Sequence, residues 1–104
     1  MNQQAMLRKV RAMQQEMLKT QEEISLSDFT GSAGGVVTVT VKGTKELDKI
    51  VISENFEIES KEDLDMLAEM IVAACSVCYE QIEKTTEEKL SKYQAFFGGM
   101  GNLF

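Results

Sequence analysis

Residues 36–43, which read Val-Val-Thr-Val-Thr-Val-Lys-Gly, decide the fold. From residue 37 onward valine alternates with threonine or lysine, as expected for a strand with one buried face. The turn Gly-Thr-Lys-Glu follows at 43–46, and residues 47–53 predict a second strand with Ile50 and Ile52 on its inner face. Two such runs joined by a short turn that contains Gly predict an antiparallel β-hairpin.

The segment before the hairpin, Ser-Asp-Phe-Thr-Gly-Ser-Ala-Gly-Gly at 27–35, is predicted to be a loop because it is rich in Ser, Asp and Gly. Its glycines also raise the alternative of a phosphate-binding loop. That motif ends in Gly-Lys-Ser/Thr and leads into a helix, whereas this segment leads into a strand. We therefore expect a connection between a helix and a strand here.

An amphipathic helix is predicted over residues 3–26. Its apolar residues recur in steps of three, four and seven and form one stripe at 100° per residue. The stripe consists of Met6, Val10, Met13, Met17 and Ile24.

A second helix is predicted from a capping pair at Ser60 and Asp63 to about Phe96. The remaining glycine-rich sequence predicts a flexible tail. The chain is thus divided into one domain at 1–97 and a tail at 98–104.

The predicted dimensions favour a homodimer. A helix of about 35 residues is roughly 52 Å long, whereas a compact domain of this size has a radius of gyration of only about 13 Å. A two-stranded hairpin is also marginally stable alone. The expected fold class is α+β, with the order helix, β-hairpin and long helix, in an elongated homodimer.

The composition disfavours an enzyme. The chain of 104 residues has no histidine, and therefore lacks the usual general base near pH 7 and imidazole metal ligands. Cys75 and Cys78 form a C-x-x-C pattern, but they lie on the apolar stripe of a helix and have no second ligand pair. We expect core packing for both, and neither a metal nor a cofactor.

The charge is divided unequally along the chain. The net charge is -6, yet residues 1–21 carry +3 and the rest carries -9. The basic residues of the first helix are the candidate DNA-binding set, because cations attract the phosphate backbone; the alternative is a solvated helix face. They are Arg8, Lys9, Arg11 and Lys19, with Lys84, Lys89 and Lys92 of the second helix as weaker candidates.

The N-terminal sequence lacks the apolar core and cleavage site of an export signal. No apolar run reaches the roughly 20 residues of a membrane span. The expected compartment is the cytoplasm, without a membrane partner.

The chain resembles the YbaB/EbfC family of small bacterial nucleoid-associated proteins. The resemblance is carried by the first helix, Met-Leu-Arg-Lys-Val-Arg-Ala-Met-Gln-Gln-Glu-Met at 6–17, by Thr-Gly-Ser-Ala-Gly-Gly-Val-Val-Thr-Val-Thr-Val-Lys-Gly at 30–43, and by Ile-Val-Ile at 50–52. It covers the chain apart from the tail. It implies a tweezer-like homodimer that binds double-stranded DNA, with a role in nucleoid organisation or gene expression.

Two functions remain open from the sequence. In the first, the chain is a nucleoid protein that contacts DNA phosphates and has relaxed sequence preference. In the second, it is an acidic helical adaptor for a protein partner, for example in replication or recombination. The acidic balance favours the adaptor, and the basic helix favours DNA.

Overall fold

The computed structural model describes residues 2–101 and confirms the α+β class. Its elements are α1 (Gln3–Ser25), β1 (Asp28–Ala33), β2 (Val37–Lys42), β3 (Leu47–Ile52) and α2 (Lys61–Gly101). The molecule measures 72 × 22 × 16 Å, with a radius of gyration of 20.4 Å. This confirms the elongated shape expected from the helix lengths.

The sheet has three antiparallel strands in the order β1-β2-β3, so the prediction of a loop over residues 27–35 is wrong for most of that segment. β1 pairs with β2 from Asp28 opposite Lys42 to Ala33 opposite Val37. Only the turn that follows is irregular, and there Gly34 and Gly35 have φ of 60° and 66°. Glycine adopts these angles without the steric penalty that a Cβ would impose.

The predicted hairpin of β2 and β3 is confirmed. The inward valines of β2 are fully buried against α2, which stabilises the fold by about 1.5–3 kcal/mol for each side chain. Ile50 lies opposite Val39 and Ile52 opposite Val37, so both share the inner face as predicted. Their side chains nevertheless remain 40% and 42% exposed, because α2 packs across β1 and β2 and leaves β3 uncovered.

α2 begins at the predicted capping site. The Ser60 hydroxyl accepts a hydrogen bond from the Asp63 amide at 3.4 Å, and the Asp63 carboxylate accepts one from the Glu59 amide at 2.9 Å. The helix continues to Gly101, beyond the predicted end near Phe96 and into the expected tail. Residues 102–104 of that tail lie outside the described part of the chain.

The two halves of α2 have different partners. The first half covers the sheet through Leu67, Ala74, Cys78 and Ile82. The second half runs past the end of the sheet and packs antiparallel to α1, through a cluster of Ile24, Leu90 and Tyr93 joined by Met13, Met17 and Phe97. We call this projecting pair of helices the arm.

Candidate nucleic-acid interface

The four basic residues predicted from the sequence all lie on α1, and all four side chains are exposed. The helix is capped by Asn2, whose side chain accepts a hydrogen bond from the Ala5 amide at 2.7 Å. This satisfies one of the free backbone donors at the helix start. The charges are thereby carried on a regular helix of 23 residues, where their relative directions are fixed.

Packing of α1 against α2 determines which side of α1 faces outward. Three residues of the apolar stripe, Met13, Met17 and Ile24, pack in one cluster with Leu90, Tyr93 and Phe97 of α2. The hydroxyls of Thr20 and Tyr93 lie 3.4 Å apart. At 100° per residue, Arg8, Arg11 and Lys19 lie within about 80° of one another on the opposite side of the helix. The structure therefore brings three of the four predicted cations onto one outward face.

Lys9 is placed differently from the other three. Its ammonium nitrogen lies 5.6 Å from the centre of the Phe96 ring on α2, in cation–π range. The charge is retained, but the side chain also links the two helices. The sequence did not indicate this contact, because it depends on the antiparallel register of α1 and α2.

The weaker candidates on α2 have acidic neighbours. Lys89 and Lys92 line a groove together with Glu23 and Glu88, and the Lys92 ammonium lies 4.9 Å from the centre of the Tyr93 ring. By contrast, residues 2–15 contain three basic residues and no acidic one. The positive surface of the arm is therefore concentrated on the outward side of α1.

One dense group of acidic residues lies at the other end of the molecule. Residues 54–69 contain seven acidic residues and one lysine, around the start of α2. From Lys61 to Phe96, which adjoins Lys9, α2 extends over about 52 Å. This distance is several times the Debye length, which is about 8 Å at physiological salt. Repulsion between these acids and DNA at the basic face is therefore largely screened.

The two cysteines lie in and beside the core, as predicted. Cys78 is fully buried and its thiol donates to the Val39 carbonyl at 3.3 Å, while Cys75 is half-buried. Burial raises the pKa of the Cys78 thiol above its ordinary value, and the neighbouring Cys75 raises it further. Within residues 2–101, no group of three or more Cys, Asp or Glu side chains is arranged to hold a metal ion.

The fold and the site together define an elongated α+β protein whose small sheet supports a helical arm with a basic outer face. Such a surface suits a polyanion. The sequence profile of the YbaB/EbfC DNA-binding family matches residues 1–97, and the chain belongs to this family.

Individual relatives agree with the family match. The chain is 37% identical over 93 residues to a nucleoid-associated protein of Enterococcus faecalis, with 88% of each chain covered. It is 31% identical to one of Chloroflexus aurantiacus over the full length of both. The crystal structure of an uncharacterized protein from Helicobacter pylori has the same fold, with a TM-score of 0.64 at 20% identity over 85% of this chain and 91% of that one. No helix in the described part of the chain has the length and apolar character required to cross a bilayer.

Proposed function

We propose that this protein is a nucleoid-associated protein that binds double-stranded DNA as a homodimer, largely through contacts to phosphates. Arg8, Lys9, Arg11 and Lys19 make those contacts, and binding organises the nucleoid or regulates genes in the cytoplasm. Membership of the DNA-binding family and the similarity to nucleoid-associated proteins of other bacteria support the proposal. The observation that carries it is the basic outer face of α1.

The physical basis of binding is counterion release. Each lysine or arginine that neutralises a phosphate releases condensed cations from the duplex. Four such residues on each chain become eight in a dimer, enough for substantial, salt-sensitive affinity. Contacts of this kind position a protein on DNA without reading its sequence.

A continuous apolar surface supports the homodimer. On the sheet it consists of the inner face of β3, with Ile50 and Ile52. The Tyr79 hydroxyl donates to the Lys45 carbonyl in the β2–β3 turn at 3.2 Å, so this side of α2 borders β3. Leu64 and Val72 share that side by helical spacing and are 52% and 65% exposed.

Exposed apolar surface beside an unpaired strand edge is typical of an interaction site. A second copy would cover this apolar surface on both chains at once, as a twofold interface requires. Each chain would still present its own arm, which gives a dimer two basic helices. This arrangement agrees with the tweezer-like shape that the family resemblance implies.

The test compares two variants of equal net charge. One carries Arg8→Gln, Lys9→Gln, Arg11→Gln and Lys19→Gln, and the control carries Lys42→Gln, Lys45→Gln, Lys49→Gln and Lys61→Gln on the sheet half. Each set of four changes lowers the net charge from -6 to -10, so long-range repulsion from DNA is similar for the two variants. Fluorescence titration with a mixed-sequence duplex should show a much larger loss of affinity for the α1 variant. Equal losses would refute the assignment to α1.

The acidic end supports a second candidate, the adaptor for a protein partner. Residues 54–69 combine their carboxylates with the exposed side chains of Ile58, Leu64 and Met66. Such a surface suits a basic, apolar segment of another protein. The same titration separates the two functions, because an adaptor that does not use DNA would leave the duplex unbound even at low salt.

A further inference from the structure

The first half of α2 carries a row of carboxylates on its outward side. Residues 62–83 contain six acidic residues and no lysine or arginine. At 100° per residue, five of the six lie within an arc of about 60°, opposite the side of α2 that packs on the sheet. All five side chains are exposed. We call this row the acidic stripe; it consists of Glu62, Asp65, Glu69, Glu80 and Glu83.

No ion pair neutralises the acidic stripe. Among residues 2–101, the only salt bridge joins Lys42 to Asp48 at 4.0 Å. Lys61 and Lys84 flank the stripe in the sequence, and neither forms an ion pair. The basic face of α1 in the same chain points away from α2, so it cannot turn onto the stripe. Any cations that match the stripe must come from another molecule.

Two leucines border the basic face of α1. Leu7 and Leu18 are 54% and 61% exposed, and each directly precedes a cation, Arg8 or Lys19. Contact with phosphates uses charged and polar groups, so DNA binding does not explain leucine at these positions. Large exposed apolar side chains beside a charged face are typical of a protein interface.

The acidic stripe has an apolar border of its own. Met66 and Val77 are exposed and lie beside Glu69 and Glu80 on the helix surface. They lie on the side of α2 toward β1, where Val77 approaches Gly31. This side is separate from the proposed dimer surface next to β3. The stripe and its border therefore stay available after dimerisation.

The two bordered faces have the same spacing. The two leucines and the two cations of α1 are each 11 residues apart, and so are the two apolar residues and the two carboxylates of α2. Eleven residues rise about 16.5 Å and return to within about 20° of the same direction.

The directions of the two faces also correspond. Each cation lies about 100° from its leucine in one sense around α1, and each carboxylate lies about 60° from its apolar neighbour in the opposite sense around α2. Two parallel helices that face each other require opposite senses. Parallel packing of α1 on α2 of another molecule thus places the apolar pairs together and the charged pairs together.

We propose that the acidic stripe is a docking surface for the basic face of α1 from a second copy of this chain. Arg8 and Arg11 then lie beside Glu69, and Lys19 lies beside Glu80. The contact joins two different surfaces, so each molecule keeps one of them free and open chains of molecules form. The same cations are proposed to bind phosphates, so DNA competes with the stripe for α1. This competition rests on the proposed function, whereas the association itself does not.

The first experiment measures the average mass of the full-length protein by light scattering at two salt concentrations. The mass at about 0.01 M salt should be about twofold or more above that at about 1 M, because the Debye length falls from about 30 Å to about 3 Å. Glu69→Gln with Glu80→Gln should abolish the rise. The control, Glu54→Gln with Glu57→Gln, also changes the net charge from -6 to -4 and should keep it. A parent mass that does not depend on salt, or equal behaviour of the two variants, would overturn the inference.

The second experiment mixes two proteins that should not associate alone. One carries Arg8→Glu with Lys19→Glu, and the other carries Glu69→Lys with Glu80→Lys. Their net charges are -10 and -2, so general attraction does not favour a mixed assembly. An equimolar mixture should regain the rise in mass at low salt, because each basic face then meets an acidic one. If the two variants have parental circular dichroism spectra and the mixture does not associate, the docking assignment is wrong.

The outcomes separate the two proposals. If the parent associates at low salt but binds no mixed-sequence duplex, the proposed function fails and the docking surface stands without the competition. If the parent binds duplex but does not associate, the docking inference fails and phosphate binding by α1 stands. Where both occur, the Glu69→Gln, Glu80→Gln variant should bind duplex more tightly than the control of equal charge, at a protein concentration where the control associates. Equal affinities would refute the competition.

Discussion

The substitution Gly31→Ala tests how closely α2 packs against β1 of the sheet. A Cβ at this buried position of β1 would lie 2.6 Å from the Ala74 carbonyl oxygen, 3.0 Å from the Val77 Cβ and 3.1 Å from the Cys78 Sγ. Ordinary contacts of a Cβ begin at 3.4 Å. Two of these neighbours are atoms close to the helix axis that cannot rotate away, so α2 must move by about 0.5–1 Å to restore van der Waals separation.

The magnitude follows from two opposing effects. Overpacking a close contact costs about 1–3 kcal/mol, and removal of glycine from a strand interior returns about 0.5–1 kcal/mol. We expect the free energy of unfolding to fall by about 1–2 kcal/mol. The assay is urea denaturation followed by circular dichroism, at one fixed protein concentration because the proposed dimerisation would make stability depend on concentration.

Gly99→Ala is the matched control for this change. A Cβ at Gly99 meets no atom within 4 Å, and alanine in a helix is favoured over glycine by about 1 kcal/mol. The same chemical change should therefore raise the urea midpoint at Gly99 and lower it at Gly31. A Gly31→Ala protein as stable as the parent would show that α2 does not approach β1 as described.

Three further predictions concern association, the cysteines and the arm. The protein should have a mass near twice 11.6 kDa in light scattering, and Ile50→Glu with Val72→Glu should shift it toward the monomer; Thr40→Glu on the opposite sheet face should not. Because burial raises the pKa of the Cys78 thiol above its ordinary value of 9.0, the folded state retains a proton that the unfolded chain releases. The stability that this thiol contributes is fully present below pH 9, and unfolding titrations should show stability falling above that pH by up to about 1.4 kcal/mol per pH unit. Cys78→Ala should remove this dependence, and Cys75→Ala should only narrow the pH range over which it acts, because Cys75 is the smaller cause of the raised pKa. Tyr93→Ala should lower the free energy of unfolding by about 3–5 kcal/mol by opening the contact of α1 with α2; an unchanged urea midpoint would contradict the packing of the arm.

The sequence predicted the elements that have strong periodicity. The alternation in β2 identifies a buried face, and this face is confirmed. The apolar stripe of α1 is confirmed for Met13, Met17 and Ile24, whereas Met6, near the start of the helix, is 36% exposed.

β1 was missed because three of its six residues, Asp28, Gly31 and Ala33, are of types that are depleted in strands. Tertiary pairing with β2 overrides that propensity, and Gly31 is required there by the approach of α2 rather than by a turn.

The candidate site was predictable in part. Helical spacing alone places Arg8 and Lys19 opposite the stripe, because the side-chain directions on a helix repeat regularly. The contact of Lys9 with Phe96 was not predictable, since the two residues are 87 positions apart and meet only through the packing of α1 on α2. The exposure of Ile50 and Ile52 likewise depends on which strands α2 covers.

The measurement that tests the central claim most directly is the salt dependence of DNA affinity for the parent and for the protein in which Arg8, Lys9, Arg11 and Lys19 are all replaced by Gln. Binding to a mixed-sequence duplex is titrated at several salt concentrations, and log affinity is plotted against log salt. If the basic face of α1 contacts phosphates, the parent slope should be steep and the variant slope shallower by about 0.9 for each contact removed. Identical slopes and affinities for the two proteins would contradict the account.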